Sequence, residues 1–474
     1  MNCSALRWVL LVVSAIVASA EDDPQKAFDT KVAPKLKALA GHHEKIAKWA
    51  FQRGLRREAC RQFMEVLELV PDDAEARKAL GFKKAGDAWK LEGPLPKVDL
   101  VKGDERKKVL GELAAAMGPA EKQAGGIAYA IALEAEKLKL EEPRIRWLGR
   151  TLGYDKEHAK AREGLGYKKV DGRWVVAAQA ARLNNALKEK LVEDEAETAF
   201  ETELKLKLAK RSSTRMWIGG FWGAKEVEDM VRHGDAGILA FHDLFKLGSF
   251  LSRVSKGKQI KLAFVKDAAD YEAFIEKYHD GDVSRKAFVK KLEFCFIAPE
   301  GLHVNRFVNS DDDAQRRDRV VYLVGNRLAH AICGDAPPWI AEGICWGLCL
   351  RILGTKFNFS VSMADTSTDY GAKNWNDHSS WRGYLREMVL LGDAPLPSEV
   401  LVTRDWNTIS GEKAAYAWSM VDFLWRTQPE KFAAYCQAIS GENKDKVEEA
   451  CQSSFGYGMM DLDQAWREYV KGNY

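Results

Sequence analysis

Residues 320–350 read VVYLVGNRLAHAICGDAPPWIAEGICWGLCL. Two strongly apolar segments are separated by Gly-Asp-Ala-Pro-Pro, a composition that ends one helix and begins another. The spacing of the apolar residues predicts helices over Val320–Cys333 and Trp339–Leu353. The first predicted helix carries the sequence Asn-Arg-Leu-Ala-His, and the second carries a single acidic residue, Glu342. These polar residues within apolar helices are the first candidates for a functional site.

The composition indicates a large folded protein. The chain has 474 residues, more than one ordinary domain needs. Hydrophobic residues make up 46% and charged residues 30%, so a packed core is expected. The 72 basic and 69 acidic residues give a net charge of +3. Because neither sign dominates, we expect no nucleic acid among its partners.

The N-terminal sequence MNCSALRWVLLVVSAIVASAEDD predicts a cleaved secretory signal over residues 1–20. One basic residue precedes an apolar run, and Ala-Ser-Ala precedes the acidic Glu21, as at signal cleavage sites. The apolar run is shorter than the roughly 20 residues that a membrane-spanning helix needs. We therefore expect an exported protein, periplasmic, on the cell surface or extracellular, without stable membrane insertion after cleavage. Cys436 and Cys451 could pair in such an oxidising compartment.

Residues 21–175 predict a helical region with two related units. AEARKALGFKKAGDAWK, residues 74–90, returns as HAKAREGLGYKKVDGRWV from His158, at an offset of 85 residues. Each copy predicts a helix that ends at Leu-Gly, then a strand, a turn and a strand with a tryptophan. The segment EACRQFMEVLELVP, residues 58–71, resembles the second helix of a tetratricopeptide repeat, which implies a module that binds peptides or spaces domains.

The rest of the chain predicts an α+β fold that is mostly helical. Residues 176–215 are predicted to form a charged helical connector, and residues 216–474 a second domain. Strands are predicted at Gln259–Val265 and on both sides of the Pro-Glu-Gly turn at residues 299–301. The helices that follow are predicted at Val320–Cys333, Trp339–Leu353, Ser380–Leu391, Glu412–Arg426, Pro429–Ile439 and Asp461–Val470.

The segment Pro-Pro-Trp-Ile-Ala-Glu-Gly, residues 337–343, resembles a motif of peptidase-MA-like domains, which belong to the gluzincin branch of zinc peptidases. AYAWSMVDFLW, residues 415–425, and DLDQAWREYV, residues 461–470, are also similar to the C-terminal helices of these secreted bacterial proteins. In gluzincins, a His-Glu-x-x-His helix supplies two zinc ligands and the base. A glutamate on the following helix supplies the third ligand. The resemblance is loose from Gln259 onward and most specific over residues 320–346.

The resemblance places the first ligand at Asn326, the catalytic glutamate at Arg327, the second ligand at His330 and the third at Glu342. Asparagine is a poor zinc ligand, and arginine stays protonated, so the motif is predicted to be inactive. One hypothesis is an Arg327–Glu342 ion pair in which the guanidinium replaces the metal, since a buried carboxylate needs a partner. The alternative leaves Arg327 in solvent and Glu342 with another partner.

Zinc bound by a different set of residues is the alternative to a site without metal. His330 and Cys333 lie one helical turn apart, and Glu342 and Cys345 lie one turn apart on the next helix, so these four side chains are candidate ligands. Buried free cysteines are also common in helix cores. We therefore expect no cofactor, with zinc as the alternative.

Other side chains are assigned to solvent or to the core. His42 and His43 are predicted to be solvated, and His303 to be a surface histidine, with a position near the pocket as the alternative. Tyr416 is predicted to pack in the core, with a role in the pocket as the alternative. Tryptophans of the C-terminal part are also expected mostly in the core. They are Trp375, Trp381, Trp406, Trp418, Trp425 and Trp466.

These observations predict an exported protein with an inactive gluzincin-like domain that acts in binding or scaffolding, with a protein or peptide as its partner. The alternative is a zinc-dependent hydrolase with an unusual His/Cys/Glu site. A third hypothesis makes the helical region an assembly adaptor and the second domain a structural block.

Overall fold

The structure is a computed structural model. It describes residues 23–170, 173–193, 196–245, 259–291, 294–297, 301–307, 312–354, 378–405, 410–443 and 445–474, so the predicted signal, residues 1–20, lies outside them. The architecture is α+β and mostly helical, as the sequence predicts. Within the described ranges, no helix is long and apolar enough to cross a bilayer.

The N-terminal region consists of two units with the same order of elements. The first unit contains α1 (Pro24–Gln52), α2 (Arg56–Leu69), α3 (Ala74–Ala79), β1 (Phe82–Ala85) and β2 (Ala88–Leu91). The second contains α4 (Gly103–Lys137), α5 (Glu141–Tyr154), α6 (Ala159–Gly164), β3 (Tyr167–Val170) and β4 (Arg173–Val176). The bounds of α5, α6, β3 and β4 each lie 85 residues after those of their counterparts. The elements of the two units thus match at the offset seen in the sequence, and the match extends to the two helices that precede the repeated segment.

Corresponding contacts recur in the two units. Arg77 lies over the Trp89 ring at 5.6 Å, and Arg162 lies over the Trp174 ring at 5.7 Å. Both members of the second pair follow the first by 85 residues. Each hairpin tryptophan is thus held to the preceding short helix by a cation–π contact, which explains why the tryptophan is shared by both copies.

The turn between the two long helices of each unit requires a left-handed backbone. Gly54 has a φ of 79° in the first unit, and Lys139, at the equivalent position of the second, has a φ of 57°. In both turns the amide of the next residue, Leu55 or Leu140, donates to a carbonyl of the preceding helix at 2.9 Å. A left-handed lysine is strained because its Cβ approaches the backbone. The conformation of the turn is therefore common to both units although only one has glycine.

The predicted helical connector, residues 176–215, differs from expectation. It contains α7 (Ala177–Lys188), β5 (Val192–Glu193), α8 (Ala199–Leu204) and β6 (Ala209–Ser212). Lys210 is buried and forms an ion pair of 2.8 Å with Glu201, which is also buried. Some of the charged residues of this segment therefore lie inside the protein and not on an exposed helix. The strands β5 and β6 belong to the sheet of the second domain, which therefore begins before residue 216.

A six-stranded sheet lies at the base of the second domain. Its other strands are β7 (Met216–Gly220), β8 (Ile260–Val265), β9 (Phe294–Ile297) and β10 (Leu302–Arg306). The order is β5-β6-β7-β8-β10-β9, with β7, β8 and β10 parallel and β9 an antiparallel edge strand. The strands predicted at Gln259–Val265 and around the Pro-Glu-Gly turn are thus confirmed as β8, β9 and β10.

Helices cover both faces of this sheet. On one face, α9 (Ala224–Leu244) and α12 (Asp313–Cys333) pack on Met216, Ile218 and Leu262. On the other face, α10 (Ala268–Tyr278) and α11 (Val283–Lys291) pack on Trp217, Ala263 and Val265 with α8. Because β8 and β10 are covered on both sides, His303 and Asn305 of β10 are removed from solvent, whereas Lys261 near the start of β8 stays exposed.

The remaining helices follow the sheet. They are α13 (Pro338–Ile352), α14 (His378–Leu390), α15 (Pro397–Val400), α16 (Gly411–Thr427), α17 (Pro429–Ala438), α18 (Val447–Phe455) and α19 (Met459–Asn473). Five of these seven helices are among the six predicted from the sequence, the sixth being α12, and α15 and α18 are additional. The core position predicted for the tryptophans is confirmed for Trp381, Trp418, Trp425 and Trp466. Trp375 and Trp406 lie outside the described residues.

Buried and half-buried ion pairs join the helical region to the C-terminal helices. Glu65 of α2 accepts hydrogen bonds from Arg150 of α5 at 2.8 Å and from Arg386 of α14 at 2.5 and 2.7 Å. Arg57 of α2 forms an ion pair of 2.9 Å with Glu387 of α14. The predicted two parts of the chain therefore share an interface, which is held by charged groups removed from water.

Candidate functional site

The motif residues lie where α12 and α13 pack together. A Cβ placed on Gly325 would lie 3.0 Å from the Cα of Cys345, so the helices approach too closely for a larger residue. Tyr322, Asn326 and His330 are spaced four residues apart and share one side of α12. The local sequence thus brings the Asn-Arg-Leu-Ala-His segment against the helix that carries the Trp-Ile-Ala-Glu-Gly segment.

Glu342 contacts the motif helix one turn before the first motif residue. Its side chain is 0% exposed, and its Oε1 accepts a hydrogen bond of 2.7 Å from the Tyr322 hydroxyl. Asn326, four residues after Tyr322, is buried at 6% exposure. The carboxylate therefore faces the side of α12 where the resemblance expects the metal ligands, and a phenol hydroxyl is one of its partners.

Arg327 points in a different direction. Its guanidinium lies over the Phe296 ring of the edge strand β9, 4.6 Å from the ring centroid. Burial lowers the pKa of Arg327. Successive residues of a helix point about 100° apart, so a residue next to Asn326 does not share its direction. Within the described chain, Arg327 forms no ion pair with Glu342, so the first of the two hypotheses is wrong, and Glu342 has another partner, as the alternative proposes.

His303 lies beside Arg327 and His330. It is 4% exposed on β10, and its ring centroid is 4.8 Å from that of Phe296. Burial lowers the pKa of His303 to about 3, and the charges of Arg327 and His330 act in the same direction. Neither ring nitrogen has a hydrogen-bond partner among the described residues. The prediction of a surface histidine is therefore wrong, because β10 is covered on both faces and lies between β8 and β9.

His330 contacts the turn between the two motif helices. Its Nδ1 is 3.3 Å from the Gly334 carbonyl oxygen and 3.3 Å from the Ala336 nitrogen. Depending on the tautomer, Nδ1 donates to the carbonyl or accepts from the amide. Burial lowers the pKa of His330. The neutral imidazole thus stabilises the path of the chain from α12 into α13.

The four candidate zinc ligands do not converge. Cys333 lies beside Cys436 of α17, and burial together with this neighbour raises the pKa of Cys436. Burial and the nearby Glu342 raise the pKa of Cys345, which keeps its thiol protonated. His330 contacts the turn, and Glu342 contacts Tyr322. In the part of the chain that is described, no group of three or more His, Cys, Asp or Glu residues is placed to hold a metal ion. The residues proposed for zinc therefore do not fit such a site in this structure.

The described cysteines are free thiols, so the pairing considered for Cys436 and Cys451 is not formed. Tyr416 donates a hydrogen bond of 2.8 Å to Asp463, and both side chains are buried, in line with its predicted core position. His43 is also buried: Nδ1 donates to Gln62 at 2.6 Å, and Nε2 accepts from the Tyr154 hydroxyl at 2.7 Å. The predicted solvated position of His43 is wrong because α2 and α5 cover this side of α1.

A second polar site has no local motif in the sequence. An open cleft of about 690 Å³ lies between the second helical unit and the C-terminal helices. Its lining includes Arg162 and Tyr167 on one side and Arg382, Asp422 and Arg426 on the other. These residues are far apart in the chain and come together only when the two regions pack. The sequence feature that could have indicated this site is the high frequency of arginines and tyrosines in these helices.

Comparisons with known proteins provide no relative. No family model matches the chain, and no match was found among curated proteins or solved structures. The resemblance to gluzincins therefore rests on the motif residues themselves.

Proposed function

We propose that the chain is an exported binding or scaffolding protein whose C-terminal domain is gluzincin-like and lacks peptidase chemistry. The observation that carries this proposal is the position of Arg327, whose guanidinium stacks on Phe296 at 4.6 Å. The resemblance assigns this position to the glutamate that activates water. An arginine remains protonated at neutral pH and cannot accept a proton from water.

The surroundings of Glu342 support the same proposal. In a gluzincin this carboxylate would bind the metal, whereas here its Oε1 accepts a hydrogen bond from Tyr322 at 2.7 Å. The side chain is fully buried, so exchanging this partner for a hydrated metal ion would require the helix pair to open. Glu342 then acts in the packing of α12 against α13.

The helical region supports a role in binding. Its two units repeat the same helices and hairpin, an arrangement that repeat proteins use to present surfaces to partners. We infer a protein or peptide partner, since the balanced charge of the chain gives no reason to expect nucleic acid.

The alternative, a zinc-dependent hydrolase, is less well supported. It requires His330, Cys333, Glu342 and Cys345 to share one metal, but Cys333 contacts Cys436 and Glu342 contacts Tyr322. The nearby basic groups are poor general bases: Arg327 stays protonated, and burial lowers the pKa of His303 to about 3, so that its imidazole holds a proton only weakly.

The test is the zinc content of the purified full-length mature chain after dialysis against zinc, together with hydrolysis of an unstructured protein such as casein. We expect background zinc and no hydrolysis, both unchanged in Glu342→Gln. The double variant Asn326→His/Arg327→Glu restores the residues of the family motif and should raise the zinc content. About one zinc per wild-type chain, lost in Glu342→Gln together with hydrolysis, would overturn the proposal.

A further inference from the structure

Polar and charged side chains line the cleft between the second helical unit and the C-terminal helices. One wall comes from α5, α6 and β3, and the other from α14, α16 and α19. At one point the walls touch, since a Cβ on Gly149 of α5 would lie 2.7 Å from the carbonyl oxygen of Asn473 in α19. The space between the walls, counted together with the solvent at its mouth, is about 690 Å³, and a smaller recess of about 350 Å³, counted in the same way, shares several of its residues.

The charges that line the cleft and its recess are mostly positive. Among the described lining residues, the basic side chains are Lys156, Arg162, Arg351, Arg382 and Arg426, whereas the only acidic side chain is that of Asp422. Asp422 cannot neutralise this set. The lining therefore carries a surplus of positive charge, although the chain as a whole is nearly balanced.

Asp422 is already fully engaged. Its Oδ1 accepts hydrogen bonds from Arg351 at 3.1 Å and from Arg426 at 3.0 Å. Its Oδ2 accepts hydrogen bonds from the hydroxyls of Tyr469 at 3.3 Å and Tyr474 at 3.2 Å. Both oxygens thus have two donors, and Asp422 has no remaining acceptor position for another arginine.

Arg382 is the surplus cation. Its guanidinium carbon lies 5.7 Å from the ring centroid of Trp418 and 5.4 Å from that of Tyr474, and these two rings are stacked on each other at 5.8 Å. With the residues that the structure describes, it forms no hydrogen bond and no ion pair. These cation–π contacts hold the guanidinium beside the two rings without using its N–H groups as hydrogen-bond donors. A guanidinium held in this way is ready to bind an oxyanion through two donors.

The pKa of Tyr167 reflects the positive charge inside the cleft. Burial raises the pKa of its phenol, but the charges of Arg382 and Arg426 outweigh burial, and the pKa lies below its ordinary value. A field that favours the phenolate favours any other anion placed there. The Tyr167 ring also offers an apolar face beside the arginines.

We propose that this cleft binds a small ligand with phosphate or carboxylate groups, held by Arg382 and the free side of the Arg426 guanidinium. This inference concerns a site separate from the α12–α13 motif and stands independently of the function proposed above. A ligand with several negative charges matches the surplus of cations best, because each added charge gains a further guanidinium contact.

The test is isothermal titration calorimetry on the full-length mature chain with inorganic pyrophosphate and with citrate, at low and at high salt. We expect at least one of them to bind at low salt and to weaken as salt rises. Tighter binding of pyrophosphate identifies phosphate as the recognised group, and tighter binding of citrate identifies carboxylate. Binding of neither ligand overturns the proposal.

Variants of Arg382 locate the site. Arg382→Gln should weaken binding by about tenfold or more, and Arg382→Lys, which keeps the charge without the planar fork, should have a smaller effect. The matched control is Arg285→Gln, because Arg285 also stacks on an aromatic ring, Phe288 at 5.4 Å, but does not line the cleft. Melting temperatures of all three variants show whether they fold. Equal binding by wild type and a folded Arg382→Gln variant would overturn the assignment.

Discussion

Glu65 and Arg150 occupy equivalent positions in the two helical units, 85 residues apart, and form a buried ion pair of 2.8 Å. Arg386 of α14 binds the same carboxylate. Burial raises the pKa of Glu65, but the charges of Arg386 and Arg150 outweigh it and hold the pKa well below its usual range. One carboxylate therefore links both helical units to the C-terminal helices.

Replacing Glu65 should destabilise the whole chain. Glu65→Gln leaves the buried guanidinium groups of Arg150 and Arg386 without their anion, and removing one partner of a buried pair costs about 3–5 kcal/mol. The measurement is the free energy of unfolding from denaturant titration at pH 7. The control is Arg146→Gln, because Arg146 and its partner Glu142 are largely exposed, and a change within about 0.5 kcal/mol is expected. A loss in Glu65→Gln no larger than in this control would contradict the assignment.

The stability of the chain should fall when the pH drops below about 6.5, partly because of His43. Burial lowers the pKa of His43 from 6.5 to about 4 in the folded state, while the unfolded chain keeps the ordinary value. Between these values the unfolded state binds more protons, so stability rises with pH and is lost as the pH falls. Protonation of Nε2 also removes its hydrogen bond from Tyr154.

The contribution of His43 between pH 7 and pH 5 is about 2 kcal/mol, from the two pKa values. We expect His43→Gln to lose less free energy of unfolding between these pH values than the wild type, by roughly that amount. Other groups, His303 among them, keep part of the pH dependence in the variant. If both chains have the same pH dependence over this range, His43 titrates normally and is not buried as described.

His303 should be a source of instability. Its buried imidazole has both ring nitrogens without a hydrogen-bond partner in the described part of the chain, and such groups cost about 1–3 kcal/mol. His303→Leu should therefore raise the free energy of unfolding at pH 7 by about 1 kcal/mol or more. A matched comparison is His43→Leu, which removes a bonded histidine and should lower stability. A stability loss in His303→Leu would show that the ring has a partner.

Gly343, the glycine of the Trp-Ile-Ala-Glu-Gly motif, is explained by packing. A Cβ at this position would lie 2.5 Å from Val421 Cγ2 and 2.7 Å from the Ala417 carbonyl oxygen of α16. Gly343→Ala should lower the free energy of unfolding by about 1–3 kcal/mol through overpacking. In contrast, Gly383 in α14 has no atom within 4 Å of such a Cβ. Gly383→Ala should raise stability by about 0.5–1 kcal/mol. The same sign for both changes would rule out this explanation.

Much of the C-terminal helix order can be predicted from periodicity, but the role of charged residues cannot. The sequence predicts a helix from Val320, whereas α12 begins at Asp313 and is capped by Asp312. Arg316 and Asp318 in its first turns are buried. A sequence interpretation assigns such charges to solvent, because burial of a charge depends on partners that lie elsewhere in the chain.

The candidate sites show the same limit. The motif identifies Arg327 and Glu342, but the direction of each side chain depends on how α12 and α13 cross. The spacing of the two residues in the sequence therefore could not decide whether they form an ion pair. The cleft around Arg382 combines helices from both regions and has no local signal. In the helical units, Lys139 replaces Gly54 although the turn keeps its left-handed backbone, so sequence similarity reveals less of the repeat than the structure does.

The contacts of Glu65 and Arg57 with α14 also determine how the chain comes apart. If one region unfolds alone, a charged side chain of the other region loses its counter-ion at an interface that is poorly hydrated. We therefore expect the backbone amides of α2 and α14 to exchange hydrogen for deuterium at a common rate, as one cooperative unit. A fragment ending near residue 175 would keep Glu65 with Arg150 but lose Arg386. Dissection at the apparent domain border would thus change the helical region that it was meant to isolate.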